Sequence, residues 1–241
     1  MRIKSFILGA FLVLAGCGGE KSSTGNNHAN NVNNTNNANY TVLKSDQPRE
    51  ENPDIGTDEL AALTDGIRQF HFDVYGELAA RDEGNIIYSP WSIDLAMAMT
   101  WAGARNNTET EMAGVLHFPA DQDQVHAGFN WLSRRIDGLG AGMDPLAFSL
   151  TSANAIWGQE NYGFEPDFLD TLAIHYGAGL NLLDFAADPE AARAVINAWV
   201  AGRTAGKITE LLQAGALDEL TRMVLVNTLY FKAKWLHEFA P

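Results

Sequence analysis

Between Asp58 and Ala80, apolar side chains fall at Leu63, Ile67, Phe70, Val74 and Leu78, spacings of three and four that lay one stripe along a helix. The pattern predicts an amphipathic helix over this stretch. Asn85 to Tyr88 is a short β-prone run that stops at Ser89-Pro90. Ser89 suits the cap of a following helix, and Pro90 suits its first position, where no backbone donor is needed. That helix, predicted over Pro90 to about Ala104, is apolar nearly all round and rich in alanine and glycine, as suits a helix buried among close neighbours. Thr108 and Glu111 have the spacing of a capping box, which predicts a third helix from about Glu109 to Leu116 after a turn over Ala104 to Asn107.

Further along, Leu146 to Trp157 alternates for part of its length and predicts a strand, Pro166 to Tyr176 a helix, and Gly179 to Phe185 another strand. Asp188, Pro189 and Glu190 supply a cap, a first-turn proline and an acid at the positive helix end. They open a helix predicted to reach Thr204, with Gly206 as its stop and Val195, Ile196, Trp199 and Val200 as its apolar face. Met223 to Phe231 is an uncharged run broken only by Asn227 and Thr228, and its β-branched and aromatic content predicts a strand covered on both faces. A buried amide without partners costs roughly 1 to 3 kcal/mol, so the Asn227 side chain is expected to be hydrogen-bonded. Helices and strands in this order make an α+β protein.

The amino end follows a different pattern. Arg2 and Lys4 precede an apolar run from Phe6 to Leu14, too short to span a bilayer as a helix, so residues 1–16 read as a cleaved export signal. Its last four residues, Leu14-Ala15-Gly16-Cys17, resemble a bacterial lipobox, in which the cysteine thiol takes a lipid and becomes the new amino terminus. Gly18 after it fits sorting to the outer membrane or cell surface. Cys17 is the sole cysteine, which excludes an internal disulfide and a metal-binding cysteine pair. Glu20 to Asn39 is almost wholly polar and asparagine-rich and cannot bury enough apolar surface to offset its ordering entropy. Residues 17–57 are therefore expected to form the lipidated cysteine and a flexible tether, and residues 58–241 one folded domain.

Charge and motifs narrow the function. The net charge of −14, with basic residues scattered, would repel nucleic acid and anionic membrane surfaces. Six histidines are present, but none lies in H-E-x-x-H, and the chain has no G-x-S-x-G elbow, phosphate-cradling loop or dinucleotide fingerprint. His71, His117, His126, His175 and His237 are scattered, and Ser89 is explained by capping rather than nucleophilic chemistry. No enzyme, cofactor or metal site is predicted.

Two segments carry a family resemblance: NIIYSPWSIDLAMAMTWAGARNNTETEMAGVLHF from Asn85 to Phe118, and TRMVLVNTLYFKAKWLHEF from Thr221 to Phe239. Together they resemble the amino-terminal half of a serpin, and the likeness runs in order from Leu60 to Phe239. It implies a large central β-sheet with surrounding helices. It also implies that the S-P-x-S helix start, Ser89 and Ser92, joins Asn227 in the cluster called the shutter, where the sheet opens; the cluster's usual histidine comes from a later strand. Trp235 is placed by the same likeness in the breach at the top of the sheet. Ala233 stands where the family commonly has glycine. The helix from Pro189 to Thr204 would lie across the front of the sheet.

The function implied is inhibition of a serine or cysteine protease: the enzyme attacks an exposed loop, and the cleaved loop inserts into the sheet as a new strand. The chain stops at Pro241, before the point where the resemblance places that loop, so the reactive bond is expected to lie beyond it. A non-inhibitory binding protein or an inactive fragment is the alternative. The helix matching the family's polyanion site, Gln124 to Ile136, offers only Arg134 and Arg135, which argues against a heparin-like cofactor.

Overall fold

The computed structural model describes the backbone of residues 5–15 and, in full, residues 40–81, 84–119, 121–139, 141–144 and 147–235. Cys17 and the asparagine-rich stretch Glu20 to Asn39 lie outside the described residues. The elements are β1 (Ser5–Ala15), β2 (Thr41–Leu43), α1 (Thr57–Arg81), α2 (Pro90–Trp101), α3 (Asn106–Leu116), α4 (Gln122–Asp137), β3 (Phe148–Gln159), α5 (Pro166–Tyr176), β4 (Leu180–Leu183), α6 (Pro189–Arg203) and β5 (Thr221–Ala233). The strands form one sheet in the order β1-β5-β3-β4-β2, antiparallel except for the β3–β4 pair. None of the described helices is long and apolar enough to cross a membrane.

Alternation along β5 decides what covers the sheet. Val224 and Val226 point to one side, where they meet Ala155 and Trp157 of β3 and Ile196 and Val200 of α6. Leu225 points to the other, with Ile156 of β3, Met99 of α2 and Leu169 and Leu172 of α5. Both faces are thus closed by helices, as the uncharged run requires. A third cluster joins the predicted stripe Leu63, Ile67 and Phe70 of α1 to Leu95 and Trp101 of α2, Leu116 of α3 and Phe129 of α4. Gly66 permits this packing: a Cβ there would lie 2.0 Å from the carbonyl oxygen of His117.

Several predicted features differ in the structure. Helix α2 ends at Trp101 rather than near Ala104, because Gly103 N and Ala104 N donate to the carbonyls of Thr100 and Trp101 in tight turns. The capping box does not form: α3 starts at Asn106, its N-cap is Arg105 without a side-chain bond, and Thr108 and Glu111 lie inside the helix. Arg105 satisfies the preceding turn instead, its Nη1 donating to the carbonyls of Ala102 and Ala104 at 2.9 and 2.7 Å. Asn85 to Tyr88 pairs with no strand among the described residues. The predicted strand start at Leu146 lies outside the described residues, and β3 runs from Phe148 to Gln159. Tyr40 to Gly56, expected to continue the tether, packs on the domain, with β2 paired to β4. Ser5–Ala15, expected to belong to a cleaved export signal, forms β1, paired along β5.

Asp94 is a carboxylate in the otherwise apolar middle of α2 and is fully buried. Its Oδ2 lies 2.7 Å from His71 Nε2 of α1, and its Oδ1 has no partner among the described residues. Burial raises the Asp94 pKa to about 8 and lowers that of His71, so both shifts favour a neutral pair with the proton on the carboxyl group. The folded state then holds a proton that the unfolded chain has released near pH 4, and this contribution to stability falls as pH rises toward 8. The buried His126, lowered to about 3, acts in the opposite sense below its unfolded value of 6.5. As pH rises from 7 to 8 the opposing contributions of His71, His126 and His175, all lowered by burial, fade as their unfolded forms lose the last of their protons, and the Asp94 slope dominates. Thermal unfolding between pH 7 and 8 is expected to show Tm falling with pH, and Asp94→Asn is expected to flatten that fall; an equal slope in the variant would place its origin elsewhere.

Candidate functional site

Proline cannot donate a backbone hydrogen bond, and Ser89 before it has extended dihedrals, φ −114° and ψ 101°, so α2 begins where the sequence predicts. The Ser89 hydroxyl accepts from Ser92 N at 3.3 Å, and the Ser92 hydroxyl donates to Ser89 Oγ at 2.9 Å. Both serines are buried. They fix the start of α2 beneath the sheet, where α2 packs on β5 through Met99, Ala102 and Leu225.

Asn227 follows Leu225 by two positions, which puts its side chain on the same, α2-facing side. Directly opposite in register is Asn154 of β3, and Asn227 Nδ2 donates to Asn154 Oδ1. The expected partner for the buried Asn227 amide is therefore another asparagine on the neighbouring strand. Asn227 Oδ1 is buried and finds no donor among the described residues. No hydrogen bond among the described residues joins the serine pair to the asparagine pair. The four side chains share one side of the sheet as two separate pairs.

Trp235 lies two residues past the end of β5 and is 61% exposed, apart from both pairs. Helix α6 crosses the opposite face of the sheet, with Ile196 and Val200 buried against Trp157, Val224 and Val226. Its amino end is fastened as predicted by Asp188, whose side chain accepts from Ala191 N at 2.9 Å. The free edge of β5 is taken along nearly its whole length by β1, from Ser5 opposite Lys232 to Ala15 opposite Thr221.

The profile of a family described as Serpin (serine protease inhibitor) matches residues 65–241. The chain belongs to the serpin family. Its relatives include the leukocyte elastase inhibitor of Bos taurus, 44% identical over 181 residues that cover 75% of this chain and 46% of the relative. Serpin B10 of Sorex araneus is 36% identical over 198 residues, covering 75% and 50%. Among solved structures, emu ovalbumin (Dromaius novaehollandiae) superposes with a TM-score of 0.67 at 32% identity, covering 74% of this chain and 49% of that one. AtSerpin1 of Arabidopsis, in its native stressed conformation, gives 0.64 at 25% identity, covering 76% and 46%. The serpin chain described here spans about half the length of the curated relatives that it matches.

Asn154 is the residue of this serpin that sequence reasoning passed over. A signal was present: an amide between Ala153 and Ala155 in a strand of alternating pattern. Only the register, however, puts it opposite Asn227. Asn154→Ala is expected to leave the buried Asn227 short of a partner and to cost about 1 to 3 kcal/mol in urea unfolding. Asn154→Leu combined with Asn227→Leu is expected to regain most of that loss; if the single variant is neutral, the pair does not hold the strands together.

Proposed function

We propose that the full-length protein is a serine protease inhibitor of the serpin type, and that it is exported and lipidated at Cys17 to stand at an outer membrane or cell surface. The observation that carries the inhibitory reading is the 44% identity to a leukocyte elastase inhibitor over three quarters of this chain. An elastase-type serine protease is accordingly the first target to try, with the reactive loop in the part of the relatives that this chain does not cover.

In this reading the protease acylates on the loop, and the cleaved loop then adds to the sheet beside β5. Strand addition gains backbone hydrogen bonds and buried side chains together. Support comes from the β5 edge itself, which takes an antiparallel partner over eleven residues, Ser5 to Ala15. Cleavage before Cys17 would remove that partner and free the edge. Ser89, Ser92, Asn154 and Asn227 form the shutter in this reading, and Asn227 Oδ1, buried without a donor among the described residues, is the acceptor left for a donor from a later strand. Trp235 belongs to the breach, and α6 is the helix that yields as the sheet widens. With Arg134 and Arg135 as the basic residues in the last turn of α4, the inhibitor works without a heparin-like cofactor. It carries no catalytic machinery of its own.

The test is incubation of the full-length product with a serine elastase, followed by a denaturing gel. A covalent complex that survives denaturation is expected, and the 241-residue chain alone is expected to form none. Cleavage of the full-length product without a complex would favour a non-inhibitory serpin that binds another partner. Incorporation of labelled palmitate, lost in Cys17→Ala, checks the anchor.

A further inference from the structure

Strand β4 is much shorter than β3 and pairs with it only from Ile156 to Gln159. From Phe148 to Ala155, therefore, no strand among the described residues borders β3 on that side. Alternate residues of the antiparallel β3–β5 ladder turn their N–H and C=O groups to this open edge. A cavity of about 280 Å³ lies there, with Ser152, Ala153 and Asn154 of β3 along one wall.

Spacing along α2 supplies the apolar part of the lining. Trp91, Leu95 and Met99 are four residues apart, so they present one stripe to the cavity. Tyr176, the last residue of α5, and Trp199 of α6 add two more aromatic faces. Rings of this kind receive another ring in offset or edge-on contact.

The polar part of the lining is cationic. Arg49 and Arg203 both reach the cavity, and neither forms an ion pair among the described residues. The Arg203 guanidinium stands 5.4 Å from the centroid of the Trp199 ring. Arg49 is half-buried, and its Nε donates to Asn130 Oδ1 at 3.0 Å. Burial lowers the Arg49 pKa; Asp137, whose side chain also lines the cavity, opposes that shift, and Arg134 adds to it. Two guanidinium groups against one carboxylate leave the lining net positive. Ser152 lies two positions before Asn154 and so shares its α2-facing side. Its hydroxyl is buried without a partner among the described residues, a state that costs free energy until something bonds it.

We propose that this cavity binds a small aromatic carboxylate, its ring on the α2 stripe and Tyr176 and its carboxylate toward Arg49 and Arg203, with the Ser152 hydroxyl as a further donor. A planar guanidinium can give a carboxylate two parallel hydrogen bonds. The volume is at the low end for ligand pockets, roughly 300 to 1,000 Å³, which suits one or two fused rings. The site does not depend on the inhibitory reading.

The test titrates the 241-residue chain with naphthalene-2-carboxylate and, separately, with the uncharged 2-naphthamide, by isothermal titration calorimetry. The acid is expected to bind with a Kd at or below about 1 mM, and the amide roughly tenfold or more weaker. Arg49→Met combined with Arg203→Gln is expected to lower the affinity for the acid to that for the amide. Ser152→Phe fills the cavity and is expected to abolish binding of both, with circular dichroism reporting whether the fold is intact. No measurable binding of the acid, an amide that binds as tightly as the acid, or a folded Ser152→Phe chain that binds as the unaltered one does would each overturn the proposal. The comparison of acid with amide uses the unaltered chain, so it decides the matter even where a variant fails to fold.

Discussion

Burial of β5 on both faces is the constraint from which the rest of this chain is arranged. Val224 and Val226 are fully buried on one side and Leu225 nearly so on the other. Each such side chain contributes on the order of 1.5 to 3 kcal/mol when removed from water. A strand of this kind cannot sit at a surface, so helices must cover both sides: α6 on one, α2 and α5 on the other. Register follows from the same alternation. A slip of one residue would turn Asn227 toward the aliphatic face of α6 and separate it from Asn154.

That arrangement also explains why the polar residues of the site are where they are. Ser89 and Ser92 serve the start of α2 and become buried because α2 lies under the sheet. Asn227 and Asn154 serve each other because their strands are neighbours in register. Asp94 is tolerated in the middle of α2 because His71 reaches it from α1 and burial keeps its proton in place. Each pair is bonded within itself, although Asp94 Oδ1 and Asn227 Oδ1 find no donor among the described residues, and the pairs come together through the sheet rather than through bonds between them.

Elements with strong periodic or capping signals were legible in the chain. The α1 stripe, the Ser89-Pro90 start, the helix Pro166 to Tyr176 and the Asp188 cap all stand where local chemistry puts them. The capping box at Thr108 and Glu111 misled, because Arg105 bonds the preceding carbonyls and lets the helix begin earlier than its best side-chain cap. Asp94 was hidden in a helix that reads as apolar on average. Tyr40 to Gly56 carries no marked period, and its order comes from partners more than a hundred residues away, such as Asp170 and Ile174.

The sequence by itself determined the α+β class, the family likeness, the two-sided burial of β5 and the residues that cap its helices. These depend on neighbours within one turn or one strand, or on the count of apolar side chains that must leave water. Only the tertiary structure decided that Asn154 faces Asn227, that His71 lies against the buried Asp94 and that Tyr40 to Ile55 is fastened to β4, α5 and α4. Each of these pairs residues distant in the chain, and one-dimensional pattern contains no term for which distant groups share a register or a helix crossing.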